Sequence, residues 1–354
     1  MMAGTSKFAA LAMTALKSNF SSLKRPYKLN FCVTYLCQSR CSTCNIWEIR
    51  PKNELAIEEV RKFAENNNYF KWIELTGGEP FLRSDIADIA KAFKENCKDL
   101  YLMTMPTNSL CSISMVEKRL REILSLGIPR VVVTVSLDGW KELHDKIRGI
   151  PGNFDKAMQV YGMIQKLKKE YGAIAAVFGY TMSKFNQGQF EQTYSAVKQL
   201  YPGVAYNDFH INLAQTSENY YKNETMDIRP DSELAAKELE YLLVKRGRST
   251  DPMVIIENAF LRKLVEFART KKSPLKSRSL EVSLYLDSWG NVYPSIMWNK
   301  KIGNIREVDY DLSKLWHNEG ANEVRAAIKE GRQPSEWTSC EAYQVLTGNI
   351  MSLL

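Results

Sequence analysis

Residues 28–44, Lys28-Leu-Asn-Phe-Cys32-Val-Thr-Tyr35-Leu-Cys37-Gln-Ser-Arg-Cys41-Ser-Thr-Cys44, carry a strand-like stretch straight into three cysteines. The C-x3-C-x2-C spacing places three thiols on one loop, enough for three corners of a cubane iron–sulfur cluster. No fourth cysteine follows nearby, so one iron of such a cluster would be open to a non-protein ligand. A structural zinc site needs four tetrahedral donors, usually from two C-x2-C-like pairs. The second pair is missing, Cys32 sits inside the strand, and His144, His210 and His317 are far away in sequence. Zinc and uncoordinated thiols remain alternatives to the cluster at this point.

Working outward, strand-like and helix-like patterns alternate. The spacing predicts strands over 28–35, 70–76, 100–105, 131–137, 174–181 and 209–213. Helices are expected over 56–66, 85–96 with Ser84 as N-cap, 114–126, 154–171 and 189–200. Val131-Val-Val-Thr-Val-Ser-Leu137 is rich in β-branched residues, as in a strand buried on both faces. This alternation implies parallel strands with right-handed crossovers. The expected fold is α/β: a partial (β/α)6 TIM-like barrel with a small C-terminal α+β extension. In such barrels ligands bind at loops after the C-terminal ends of strands, which is where the cysteines fall.

Three segments follow. Residues 1–27 form an amphipathic lead-in, 28–230 the barrel, and 231–354 a helical linker with a C-terminal module. The module has helices over 232–245 and 254–271 and a hairpin pairing Val282–Leu286 with Val292–Tyr293 across Trp289-Gly290-Asn291. The lead-in places Phe8, Leu11, Leu16 and Phe20 near one helical face, flanked by Lys7 and Lys17. It reads as a helix packed across the open end of the barrel, with peripheral membrane contact as the alternative.

Lys+Arg 48 against Asp+Glu 40 gives a net charge of +8, compatible with an acidic partner or with an ordinary solvated basic surface. Seven cysteines in 354 residues are too few for a secreted disulfide scaffold. They point to a reducing, cytoplasmic setting. No apolar run reaches the roughly 18 residues of a spanning helix, and no motif suggests a stable nucleic-acid partner.

Further motifs fall after the other strands. Thr76-Gly77-Gly78-Glu79-Pro80 ends the second; its bare glycines admit close backbone approach, and Glu79 offers a carboxylate to an ammonium. Thr107-Asn108 follows the third. Ser136-Leu-Asp138-Gly139 ends the fourth and leads to His144-Asp145-x2-Arg148-Gly149, and Asn186 lies past the fifth. With the cysteine triplet, this series resembles the radical SAM superfamily, in particular its molybdenum-cofactor and SPASM-like branch. That resemblance implies one [4Fe-4S] cluster on Cys37, Cys41 and Cys44, with S-adenosyl-L-methionine on the open iron. It implies cofactor contacts from Thr76, Gly77, Gly78, Glu79, Asn108, Ser136, Asp138, Arg148 and Asn186, Arg148 pairing with the methionyl carboxylate.

Reductive cleavage of the cofactor would give a 5′-deoxyadenosyl radical, with electrons from a flavodoxin- or ferredoxin-type reductant. The substrate would belong to cofactor, tetrapyrrole or lipid biosynthesis. A peptide or protein maturase, and a non-enzymatic iron–sulfur or zinc-binding module, are the alternatives. Two departures stand out. Ser109 replaces the glycine of a family Thr-Asn-Gly, and Thr43 replaces an aromatic residue before the third cysteine, leaving adenine contacts to Trp47 or residues near Leu213. The C-terminal hairpin is similar to a SPASM/twitch extension, but Ser295 stands where the first auxiliary cysteine belongs, and Cys340 is the region's single thiol. One thiolate cannot hold a cubane, so the auxiliary clusters are read as lost.

Overall fold

Strand β1 (Lys28–Thr34) is buried along its whole length, and its side chains divide by the period of two. Leu29, Phe31 and Val33 enter the main core, where Phe31 meets Phe93 edge-on at 6.3 Å. Lys28, Asn30 and Cys32 turn the other way. The computed structural model describes residues 2–353; Met1 and Leu354, the outer limits of the first and last expected segments, lie outside the described residues.

The predicted alternation is present as β2 (Trp72–Gly77), β3 (Leu102–Thr107), β4 (Arg130–Ser136), β5 (Ile174–Met182) and β6 (Phe209–Leu213). The intervening helices are α2 (Ile57–Asn66), α3 (Ile86–Asn96), α4 (Ile113–Ser125), α5 (Lys141–Arg148), α6 (Asn153–Tyr171) and α7 (Phe190–Leu200), following α1 (Met2–Lys17). The short α5 falls in a stretch for which no helix was expected. At α3 the N-cap position is Asp85, not Ser84; its carboxylate pairs with Arg83 at 2.7 Å and makes no capping bond.

Strand order is β6-β5-β4-β3-β2-β1-β7-β8-β9, where β7 is Ser283–Leu286, β8 Asn291–Tyr293 and β9 Gly303–Asn304. β1 to β6 are parallel, and β7 adds in parallel beside β1, Lys28 facing Ser283 and Phe31 facing Leu286. The expected hairpin is β7–β8, antiparallel, with β9 beyond. β6 and β9 are the outer strands, so the barrel is open rather than closed.

Openness explains one departure. In β4, Val131, Val133 and Val135 are fully buried, while Arg130, Val132, Thr134 and Ser136 are only half-buried. The strand is covered by helices on one face and borders a cavity on the other.

The rest of the chain closes this half-barrel. α8 (Ser232–Arg246) and α9 (Pro252–Thr270) pack against each other, and α12 (Ser339–Thr347) packs on α9. Between them lie α10 (Ser313–Trp316) and α11 (Glu319–Lys329). α1 lies across the N-terminal ends of the strands. Phe8 packs on Tyr101 at 5.4 Å, and just past the helix Asn19 donates to Thr347 O at 3.0 Å. Met13 and Leu16 on its outer side, and Phe20 just past it, are exposed, Phe20 at 86%. Among the described residues no helix is long and apolar enough to cross a membrane.

Candidate active site

The cysteine loop leaves β1 and is held from two sides by backbone hydrogen bonds. Arg40 N donates to Arg148 O (2.9 Å) and Ser42 N to Ile147 O (2.8 Å), both at the end of α5. Gly149, at φ 67°, allows that approach, because a Cβ there would stand 2.6 Å from Arg40 O. On the other side Asn45 N donates to Tyr221 O (2.9 Å), and Asn223 Nδ2 to Thr43 O (2.8 Å).

The three thiols are thereby presented to one cavity of about 250 Å³ inside the half-barrel. Asn108 Nδ2 lies 3.5 Å from Cys37 Sγ, Arg148 Nη1 3.7 Å from Cys41 Sγ, and Ile46 N 3.4 Å from Cys44 Sγ. Burial pushes the Cys37 thiol up to about 11, with Cys41 and Glu79 adding to it and Asn108 opposing. Burial, then Cys41, pushes Cys44 up as well. Among the described residues no three His, Cys, Asp or Glu side chains converge as one metal ion requires. A mononuclear zinc site needs that convergence; a cubane does not, since each thiolate holds a different iron. The soft donor set and its neighbouring N–H groups fit a cluster.

Thr76, Gly77, Gly78, Asn108, Ser136, Asp138 and Arg148 all line the same cavity. Gly77 and Gly78 lie hard against β1: Gly78 N donates to Thr34 O at 2.8 Å, and Glu79 N to Leu36 O at 2.9 Å. Thr76 Oγ1 is 2.8 Å from the Tyr220 hydroxyl, which also donates to Gly77 O at 3.0 Å. Arg148 Nε stands 2.7 Å from Asp138 Oδ2, while Asp138 Oδ1 accepts from Thr181 N at 2.9 Å. Burial works against the guanidinium charge, but Asp138 and Cys41 outweigh it and hold Arg148 charged.

Two of the expected contacts do not reach the cavity. Glu79 is fully buried and accepts from Asn108 N (2.6 Å), Phe81 N (3.1 Å) and Thr107 Oγ1 (3.1 Å). Its carboxylate ties the loops after β2 and β3 together, and burial raises it to about 7 despite those donors. Asn186 donates to Asp138 O (2.8 Å) and Thr181 O (2.9 Å), bracing the ends of β4 and β5. His144 is fully buried and packs beneath the end of β4: Nδ1 accepts from Asp138 N at 3.0 Å, and burial holds it neutral, down to about 3. Ser109 keeps the turn of the glycine it replaces, at φ 63°. Trp47 lies under Arg40 at 4.9 Å and does not line the cavity, whereas Leu213 does.

Residues 31–196 match the family described as the Radical SAM superfamily. They form a radical SAM domain. The chain is 32% identical over 144 residues to the Fe-coproporphyrin III synthase of Methanosarcina barkeri, covering 40% of this chain and 34% of that protein. It is 20% identical over 344 residues to the pre-heme d1 synthase of Dinoroseobacter shibae, covering 90% and 80%. The match to the first thus spans about a third of that relative's length. Among solved structures, Streptococcus suis SuiB bound to S-adenosylmethionine superposes with a TM-score of 0.60 at 16% identity, covering 90% of this chain and 72% of that one. That likeness speaks to the fold.

Beyond the motifs, the radical SAM domain owes parts of its site to segments with no sequence signature. Tyr35, Tyr220, Tyr285 and Trp289 buttress the cysteine loop: the Tyr35 and Tyr285 hydroxyls meet at 2.7 Å, and Tyr35 stacks on Trp289 at 4.7 Å. Glu74, His210, Asn212, Thr338 and Cys340 line the deeper wall. The inward alternation of β2 and β6 signals Glu74, His210 and Asn212; nothing local signals Thr338 and Cys340. Ser295, where an auxiliary ligand would sit, instead donates to the buried Glu336 carboxylate at 3.0 Å.

Proposed function

We propose that the chain is a radical SAM enzyme with one [4Fe-4S] cluster, acting on a substrate held inside the half-barrel. Cys37, Cys41 and Cys44 would hold the cluster, and S-adenosyl-L-methionine would bind beside it along Gly77–Gly78, Ser136 and Arg148. The observation that carries the reading is that one cavity is lined by all three thiols, both glycines and Arg148. When bound and reduced by one electron from a flavodoxin- or ferredoxin-type carrier, the pair supplies a 5′-deoxyadenosyl radical.

The chain's own residues position and enclose. Asp138 and Cys41 hold Arg148 in place, leaving its remaining N–H groups for a carboxylate. Gly77 and Gly78 expose backbone to a small zwitterion, while Thr104, Thr134, Thr181 and Asn212 give the cavity polar walls. Those walls, and the names of the relatives, favour a substrate in cofactor or tetrapyrrole biosynthesis over a maturase role.

Anaerobic reconstitution tests this. The protein should take up about four irons and release 5′-deoxyadenosine from S-adenosyl-L-methionine under dithionite. A Cys37→Ala/Cys41→Ala/Cys44→Ala variant that assembled the same cluster would overturn it. Titration with Fe-coproporphyrin III should shift the Soret band, and an unmoved band would exclude that tetrapyrrole.

A further inference from the structure

The deeper wall of the cavity carries a thiol that the chemistry above leaves unused. β2 turns Glu74 inward, and α12 brings Cys340 against it, so that Cys340 Sγ donates to Glu74 Oε1 at 3.3 Å. Lys28 Nζ donates to the carbonyl of Cys340 at 2.5 Å and stands 3.6 Å from Glu74 Oε2. Cys340 and Glu74 line the same cavity as the cysteine triplet.

A second observation marks this wall as a place where a molecule binds. Thr338 holds the N-cap position of α12, where a threonine ordinarily turns its hydroxyl to a free backbone N–H. Here it makes no capping bond. It is 6% exposed, lines the cavity, and its Oγ1 has no partner. A buried hydroxyl without a partner is costly, and a ligand that bonds to it relieves that cost.

We propose that Cys340 is the hydrogen-atom donor of this cavity, quenching a carbon radical held against Thr338. The proposal rests on the radical SAM reading above. As the new C–H bond forms, the S–H bond breaks homolytically; carbon is reduced by one electron and sulfur is oxidised to a thiyl. A one-electron carrier of the flavodoxin or ferredoxin class then reduces the thiyl to a thiolate, and a proton from solvent, relayed through Glu74 in hydrogen-bond contact with it, restores the S–H. An S–H bond is weaker than an aliphatic C–H bond, so the transfer runs downhill. Burial, reinforced by the Glu74 carboxylate, pushes the thiol well up against the pull of Lys28, which keeps the hydrogen on sulfur at neutral pH.

Cluster-loaded protein equilibrated in D2O, given S-adenosyl-L-methionine and dithionite without substrate, provides the test. The Cys340 S–D is then the donor within reach, so the 5′-deoxyadenosine released should carry one deuterium. The label should be lost in Cys340→Ser and kept in Cys97→Ser, whose thiol is buried away from the cavity against Asn67. Iron content reports that each variant has folded. Independently, S-adenosyl-L-methionine should slow alkylation of Cys340 by iodoacetamide several-fold. Unlabelled nucleoside from the parent protein, or a rate of alkylation that the cofactor leaves unmoved, overturns the proposal. A label that survives Cys340→Ser overturns it too and moves the donor to a tyrosine such as Tyr221. No nucleoside at all overturns the radical SAM reading itself.

Discussion

Replacing Gly78 by alanine probes the join between β2 and the cysteine loop. A Cβ at Gly78 would stand 2.3 Å from Leu36 O, 2.7 Å from Leu36 C and 2.8 Å from Tyr35 O. All three are backbone atoms, so no side-chain rotation relieves the overlap. Room can come only from moving β1 and the loop away. That stretches the bonds from Gly78 N to Thr34 O and from Glu79 N to Leu36 O, now 2.8 and 2.9 Å. Overpacking a closed site costs about 1–3 kcal/mol, and two weakened hydrogen bonds add about 1 kcal/mol each. The loss should therefore be about 3–5 kcal/mol, or roughly 6–10 °C in Tm for a chain of this size.

Thermal unfolding of the cluster-free protein measures that loss, and iron content after reconstitution measures whether the triplet still holds its place. Gly203→Ala is the control, since its Cβ would meet nothing within 4 Å. Gly78→Ala within about 1 kcal/mol of the parent, with full iron uptake, would refute the reasoning: the loop would then be free to shift, and the glycine pair would not be what positions it.

Three other outcomes are expected. Asp138→Ala strands a buried Arg148 and orphans Thr181 N–H, and should cost about 3–5 kcal/mol in urea unfolding; Asp138→Asn, which still accepts from Thr181 N, should cost less. His144 binds its proton less readily folded (about 3) than unfolded (6.5). Stability should thus fall by about 1.4 kcal/mol per pH unit below about 6.5, a slope that His144→Gln flattens. Glu336 moves the opposite way: burial, then Glu341, raises it to about 8 from 4.5. Its contribution is full below the unfolded value and lost as pH rises through the folded one, so Tm should drop between about pH 4.5 and pH 8 and drop less in Glu336→Gln.

The barrel was legible because each of its strands carries its own local record: a period of two, or a β-branched run, ending in a turn motif. The site residues on those strand ends were legible for the same reason. Glu79 and Asn186 show the limit. Their position after a strand is plain from the sequence, but the direction of the side chain depends on which neighbouring loop has unpaired N–H groups. Glu79 finds those of Phe81 and Asn108, and so turns away from the cavity. Cys340 was unreadable for a different reason: it follows Glu74 by 266 residues. Only the parallel addition of β7 to β1 and the packing of α12 on α9 bring the two together.

Buried polar groups also fix where the C-terminal segment meets the barrel. Ser295 bonds to Glu336, whose carboxyl lies beside that of Glu341. Glu341 in turn accepts from Asn30 Nδ2 at 3.1 Å and Ser283 Oγ at 3.1 Å, on β1 and β7. A buried polar network with partners on both strands holds the start of α12 in one register, and that register is what sets Cys340 on Glu74. It follows that Glu336→Gln should affect the alkylation rate of Cys340 little, because the amide still accepts from Ser295. Glu341→Ala, which strands Asn30 and Ser283 together, should speed that alkylation by loosening α12 from the wall. Equal rates in the two variants would mean that α9 alone holds the helix in place.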